Sequence, residues 1–398
     1  MKRFVFILFC VICAAAVGAA YWFFRPGAEF SPREVMAMSS VEDRREPYRM
    51  MDRIYPSSAI QRPEVVTTFP RNEQPIDIRY RWNGEEHGFE DYAERRAVQG
   101  LYVLKDGEVV LERYLGDAGP QDRFTSWSVA KSVVSSLIGI AVMDGKIDSL
   151  DDEVQTYAPE YAGTDYGRTS IRHLLMMASG IDFNENYEER GSDIRKLFFN
   201  TFLLNRDVDE TVRAFERARP AGEQFNYIST NTQVLSAVLR GAYGRSLISV
   251  FNEKLAQPLG LTGGSWLTDR KGRSRKELGY CCLQLTLEDY AKLGQLYVQD
   301  GMVGNIRVLP QGWAEFVGEN PTPTHRPSED GALGYGHHFW TIGGDDGAIT
   351  MQGYDGQFVH IDREDDVVIV MVSADRHIDY AGLPEFPQLF AAIKDELR

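Results

Sequence analysis

Phe124-Thr125-Ser126-Trp127-Ser128-Val129-Ala130-Lys131-Ser132 is the stretch on which the fold turns. A loop ends in it and a helix begins, because the apolar run goes on from about Ala130 to Met143 and stops at Asp144-Gly145, a C-terminal signal. At a spacing of three, Ser128 and Lys131 fall on one face of the first helical turn, so the amine can approach the hydroxyl. The helix N-terminus also favours negative charge developing there. A serine hydroxyl is a weak nucleophile that needs a base or a charge beside it. Ser-x-x-Lys also arises by chance, with the serine as a routine cap and the lysine in solvent. The pair therefore needs company elsewhere in the chain.

Working upstream, Leu101-Tyr102-Val103-Leu104, Lys105-Asp106-Gly107 and Val109 to Tyr114 read as two strands joined by a turn with positive φ. Downstream, Ile147 to about Val298 is mostly helical in period, most clearly at Ile171 to Met177 and Thr232 to Tyr243. Strands return at Phe339-Trp340-Thr341-Ile342, Gln357 to Ile361 and Asp366 to Val372, and Glu385 to Leu397 closes the chain as a helix. Strands at both ends with helices between them predict an α/β (α+β) fold: one antiparallel sheet flanked by helices, with an inserted all-helical lobe over about 145–298. A cleft between the two lobes is the expected site.

The first two dozen residues read differently. After Lys2 and Arg3, Phe4 to Phe24 carries no charge and ends in Tyr21-Trp22-Phe23-Phe24 before Arg25-Pro26. That length suits a membrane-crossing helix better than the core of a signal peptide. The early positive charges predict a cytoplasmic N-terminus and the aromatics an interfacial exit. Gly18-Ala19-Ala20 would serve as a cleavage site, so a cleaved export signal is the alternative. The expected location is the cell inner membrane, single-pass with the folded domain in the periplasm, or the periplasm itself after cleavage. Cys10 and Cys13 lack the small preceding residue of a lipidation site. From residue 25 to 99 the chain is polar, rich in Arg, Glu and Pro, and reads as an irregular stalk and wrap; the folded domain is expected over 100–398.

Across 398 residues, 43 Lys and Arg stand against 58 Asp and Glu, a net charge of −15. That balance argues against a nucleic-acid partner. A hydrophobic fraction of 43% is ordinary for a globular chain and too rich for disorder. Neighbouring Cys281 and Cys282 form strained disulfides poorly and read as small buried apolar groups. Oligomerisation has no signature here.

With these blocks in place, the chain resembles the serine β-lactamase/penicillin-binding-protein superfamily, whose signature joins Ser-x-x-Lys to two further elements. Within it the chain is more similar to class C β-lactamases, carboxylesterases and 6-aminohexanoate-dimer hydrolases than to class A enzymes. The resemblance runs from about Gly100 to the C-terminus. It rests on Ser126 to Ser132, Asp144-Gly145-Lys146-Ile147 with Tyr157-Ala158-Pro159-Glu160, and Ile171 to Gly180. It continues through Pro220 to Tyr227, Pro258-Leu259-Gly260-Leu261 and Asp289 to Gly294.

The resemblance implies catalytic roles for Ser128, Lys131, Tyr227 and Tyr354. Tyr227-Ile228-Ser229, 99 residues beyond Ser128, occupies the place of the Tyr-x-Asn element. It makes Tyr227 a proton shuttle, its anion favoured by the lysine ammonium. Ser229 replaces the usual Asn and keeps only a hydroxyl for hydrogen bonding. Lys-Thr-Gly has no literal match; Met351-Gln352-Gly353-Tyr354 falls there. The missing lysine would otherwise help hold a substrate carboxylate. The Tyr354 N–H, paired with that of Ser128, is expected to form an oxyanion hole, where losing a donor costs roughly 3–4 kcal/mol of barrier. Ser229, Gly353, Gly356 and Gln357 are the expected substrate-binding residues.

Other chemistries lack their residues. No Gly-x-Ser-x-Gly elbow precedes a helix. His173 sits in an apolar helical block, and His337-His338 read as strand neighbours facing opposite sides. No His or Cys spacing suggests a metal site, and no phosphate-binding glycine loop appears, so no cofactor is expected. Asp151-Asp152-Glu153 reads as a solvated helix start and Arg273 to Lys276 as a surface loop. The expected activity is hydrolysis of an amide or ester of a small-molecule substrate through an acyl-enzyme on Ser128. β-Lactam hydrolysis or D-amino-acid peptide cleavage is the alternative within this class. A catalytically silent sensor that keeps the fold is the alternative outside it.

Overall fold

The computed structural model describes residues 2–24, 44–322, 325–375 and 383–398. The stretch 25–43 of the expected stalk lies outside the described residues. The central sheet has seven antiparallel strands: β1 (Val98–Lys105), β2 (Glu108–Tyr114), β3 (Leu333–Tyr335), β4 (Trp340–Ile342), β5 (Ile349–Gly353), β6 (Gln357–Asp362) and β7 (Val367–Ser373). Their spatial order is β3-β4-β5-β6-β7-β1-β2. The β1–β2 turn is Asp106-Gly107, both at positive φ (53° and 75°), which matches the twist of the paired strands. Distant segments meet where β7 pairs with β1, with Ile369 opposite Val103 and Val370 opposite Tyr102.

Strand periodicity assigns the two faces. Tyr102, Leu104, Val359, Val368 and Val370 join the larger apolar core; Leu101, Val103, Phe358, Ile369 and Met371 join the smaller one on the opposite face. Because both faces are covered, every residue of β7 is buried.

Helix α1 (Val129–Met143) is buried along its length through Ala141, and its buried Ser132, Ser135 and Ser136 hydroxyls donate to the carbonyls of His338, His337 and Ser132. Helix α2 (Ser229–Tyr243) ends at Gly244 in the left-handed conformation, φ 65°. Helix α3 (Leu287–Val298) is capped by Thr286, whose hydroxyl accepts from the Asp289 N–H at 3.2 Å, and it packs on β6 and β7. Helix α4 (Phe386–Asp395) covers the other face through Leu389, Phe390 and Ile393.

The stretch 145–298 is richer than helices alone. Gly264–Leu267 and Leu283–Leu285 are strands, and with Ser57–Ile60 and Phe124–Thr125 they form a small four-stranded sheet. The last helix of that stretch, α3, belongs with the main sheet. The expected irregular wrap also has order: Arg45–Arg49 and Met51–Ile54 are short helices, and Arg79–Trp82 pairs with Glu85–Gly88 across an Asn83-Gly84 turn. Lys2–Phe24 is one helix, long and apolar enough to cross a membrane, a property a signal sequence shares.

Candidate active site

Ser128 stands at the head of α1, where backbone N–H groups lack intrahelical acceptors. Lys131, one turn along, is 2% exposed. Its ammonium donates to the Ser128 Oγ at 2.9 Å, the Ser229 Oγ at 3.1 Å and the Tyr280 carbonyl at 2.9 Å, which uses all three donors. Burial pulls the Lys131 pKa down to about 8, partly opposed by the charge of Glu185. Once the amine is neutral, the Ser128 hydroxyl is in place to donate to its lone pair. The ring of Tyr227, just before α2, lies 5.1 Å from the Lys131 Nζ, flanked by Trp340 and Tyr335. The Lys131 ammonium thus contacts the Ser128 hydroxyl and lies over the Tyr227 ring.

Glu185 had no signal in the sequence. Its carboxylate accepts from the Ser229 N–H at 2.9 Å, from the Ser229 hydroxyl and from the Tyr187 hydroxyl at 2.8 Å. Burial raises its pKa, while Lys131 and these donors pull the other way. Ser229 therefore serves the lysine and the glutamate; among the cavity's lining residues it is absent.

Trp127 takes an uncommon left-handed φ of 41°, and so sets the angle at which Ser128 enters the helix. Opposite it, the end of β5 comes close: a Cβ on Gly353 would lie 2.3 Å from the Ser126 carbonyl oxygen and 3.1 Å from the Ser128 nitrogen. Only glycine permits that approach. The next residue, Tyr354, contributes its half-buried ring to the cleft, stacked on Tyr187 with centroids 4.7 Å apart.

The cleft encloses about 440 Å³. Ser128 and Gly353 form its floor; Tyr187, Tyr227, Trp340 and Tyr354 make aromatic walls. Glu185 and Glu188 also line it, and among the described residues no Lys or Arg does. Gln352 lines it where the superfamily's third motif would carry Thr.

Two more expected binding residues, Gln357 and Gly356, are likewise not among the lining residues. Gln357 is 2% exposed, and its amide donates to the carbonyls of Ser373 (2.6 Å) and Asp355 (3.2 Å). Gly356, at φ 86°, has its missing Cβ directed at Ser373. Both brace the turn beneath the floor because the two-residue period of β6 sends the Gln357 side chain inward. The histidines are corrected too. His337 and His338 occupy the turn between β3 and β4, not a strand, and His338 has φ 68°. Its ring bonds the Leu175 carbonyl and the Thr232 hydroxyl, and burial lowers its pKa to about 3. His173 is partly buried against Gly222. Cys281 and Cys282, expected as separate packed thiols, are joined in a disulfide, with Cys282 at φ 76°. The turn accommodates what an extended backbone would not. It directly follows the Tyr280 carbonyl that receives Lys131. Lys276, expected in a surface loop, is part-buried on Asp207 and Asp209.

A helical lobe on an antiparallel sheet, with Ser-x-x-Lys at the head of the helix between them, defines the penicillin-binding and β-lactamase class of fold. The chain belongs to the beta-lactamase family, whose model matches residues 87–386. It is 28% identical over 296 residues to the 6-aminohexanoate-dimer hydrolase of Paenarthrobacter ureafaciens, covering 72% of this chain and 74% of that protein. A D-aminopeptidase of Brucella anthropi is 28% identical over 177 residues, 42% of this chain and 32% of that protein. Among solved structures, a Bacillus anthracis protein provisionally described as a 6-aminohexanoate-dimer hydrolase superposes with a TM-score of 0.76 at 20% identity, over 89% of this chain and 92% of that one. A class C β-lactamase mutant superposes at 0.55 and 14% identity, over 77% and 94%. The chain is a hydrolase of the β-lactamase superfamily.

Proposed function

We propose that this protein hydrolyses an amide or ester bond of a small substrate through an acyl-enzyme on Ser128. The observation that carries the reading is the 2.9 Å contact between the Ser128 Oγ and the buried Lys131 Nζ. Lys131, made partly neutral by burial, takes the hydroxyl proton as Oγ attacks the substrate carbonyl. The tetrahedral oxyanion is received by the N–H groups of Ser128 and Tyr354. Tyr227 delivers the proton to the leaving amine or alcohol as the scissile bond breaks. Water then gives a proton back through the same groups, attacks the ester carbonyl and releases the acid, restoring the Ser128 hydroxyl.

The cleft supports a linear amide or ester over a β-lactam. Among the described residues its lining includes two carboxylates and no Lys or Arg, which disfavours a substrate carboxylate there. The likeness to the 6-aminohexanoate-dimer hydrolase favours the same choice. The D-aminopeptidase likeness favours, as the second reading, a D-amino-acid amide. Comparing turnover of p-nitrophenyl esters, linear aminoalkyl amides, D-amino-acid amides and nitrocefin ranks these substrates.

Intact-mass spectrometry after a fluorophosphonate probe tests the nucleophile. One adduct is expected on the native chain and none on Ser128→Ala; equal labelling of both would remove Ser128 from the mechanism. The N-terminal helix is assigned as a single-pass inner-membrane anchor, with the hydrolase domain in the periplasm. Recovery of a mature chain beginning near Tyr21 in the soluble fraction would replace the anchor with a cleaved signal.

A further inference from the structure

The described residues that follow the N-terminal helix begin at Arg44, buried beside Asp355. Arg44 is 6% exposed, Tyr48 2% and Asp355 1%. The Arg44 Nη1 pairs with an Asp355 carboxylate oxygen at 2.8 Å, and the Tyr48 hydroxyl donates to that same oxygen. The rest of the Arg44 guanidinium donates to the carbonyls of Ala374 (3.1 Å) and Asp375. The Asp375 N–H in turn donates to the Asp355 carbonyl at 3.2 Å. Asp355, at a left-handed φ of 61°, is thus held by both side chain and backbone immediately after Tyr354.

The same tyrosine also reaches the nucleophile's neighbour. Its ring meets Trp127 edge-on with centroids 5.5 Å apart, and Trp127 meets Tyr354 edge-on at 6.3 Å. Tyr48 therefore touches the residue before Ser128 and the residue after Tyr354. None of Arg44, Tyr48, Trp127 or Asp355 lines the cleft, so substrate contact does not account for them. A buried charge pair is also weak evidence for stability, since desolvation offsets much of its attraction.

We propose that Arg44, Tyr48 and Asp355 form a clamp that fixes the spacing of the two oxyanion-hole N–H groups, on Ser128 and Tyr354; this rests on the reading of Ser128 as the acylated residue. These are positioning residues: they act on the transition state through the backbone on either side of it. Preorganised donors gain their effect from being held in place before charge develops.

The test uses the full-length chain and three variants: Tyr48→Phe, Asp355→Asn and Arg44→Lys. Tyr48→Phe removes one hydroxyl and keeps the ring contact with Trp127, so it preserves a folded reference if the charge variants unfold. Each is assayed on a p-nitrophenyl ester and on its thiono analogue, whose sulfur accepts N–H hydrogen bonds poorly. The expected result for Tyr48→Phe and Asp355→Asn is a kcat on the oxygen ester lower by about 10²-fold. KM should change little, the melting temperature of Tyr48→Phe should stay near native, and the oxygen-to-sulfur rate ratio should shrink toward one. A native-like ratio in a folded Tyr48→Phe, or equal losses on both esters, overturns the clamp while native labelling at Ser128 leaves the serine mechanism standing. A native chain that neither labels nor turns over ester overturns the serine reading and the clamp together.

Discussion

Glu185 and Lys131 share the hydroxyl of Ser229: the ammonium donates to its oxygen at 3.1 Å, and the hydroxyl donates onward to the glutamate. Glu185 lies 44 residues before Ser229 in sequence, yet its charge is the one that holds the Lys131 pKa up against burial. In the proposed mechanism the neutral amine takes the serine proton, so kcat/KM on a p-nitrophenyl ester should rise with pH through about 8. Glu185→Gln removes the charge that favours the ammonium, so the Lys131 pKa should fall and the rising limb of the pH profile should move to lower pH. A limb that stays in place, or moves alkaline, would separate Glu185 from the base.

Ser128, Lys131 and Tyr227 should behave as one unit. Ser128→Ala, Lys131→Met and Tyr227→Phe are each expected to lower turnover by at least about 10³-fold, and the double variants little further. Circular dichroism and thermal melting should show folded proteins in each case. A Tyr227→Phe variant with native turnover would leave the tyrosine a packing residue between Trp340 and Tyr335.

Asp207 links the helical lobe to the 270–276 loop. Its carboxylate caps Val208–Val212 by accepting from the N–H groups of Asp209 and Glu210, and it pairs with Lys276 and Arg270. Burial pushes its pKa up, but Lys276, the Glu210 N–H and Arg270 outweigh it and hold it below the usual carboxylate range. A depressed folded-state pKa stabilises the protein above the unfolded value of about 3.9 and loses that stabilisation as pH falls through the folded value. Asp207→Ala should cost about 1–2 kcal/mol at pH 7. In urea titrations the gap from native should narrow below about pH 4.

The bond between Cys281 and Cys282 sits beside the carbonyl that receives Lys131. Under denaturing conditions, iodoacetamide should label Cys10 and Cys13 and reach the other two only after reduction. Thiol treatment of the native enzyme should then lower turnover with fold retained, because the turn that presents the Tyr280 carbonyl loses its cross-link. Unchanged kinetics after proven reduction would show that the backbone alone holds that carbonyl.

Local patterns made much of the molecule legible. The turn at Asp106-Gly107, the apolar run of α1 and the spacing of Ser128 and Lys131 each depend on residues close in sequence. The Asn83-Gly84 hairpin carried an equally clear signal, lost because the polar composition around it read as a wrap. Glu185 stayed hidden because a single acid in an acidic loop has no period or spacing to mark it. Gln357 and Gly356 were misplaced because matching a motif fixes positions along a strand and leaves the local turn unresolved. The pairing of Tyr48 with Asp355 spans 307 residues, a contact that only tertiary structure creates.

At Gly353, the strand end and the helix head are separated by less than the width of a methyl group. In a saturation library screened for turnover, that codon would tolerate no replacement, while Asn186 and Glu188, exposed on the lining of the cleft, would be free to diversify. Changes in substrate preference would then be found on the walls, because the floor has no room in which to vary.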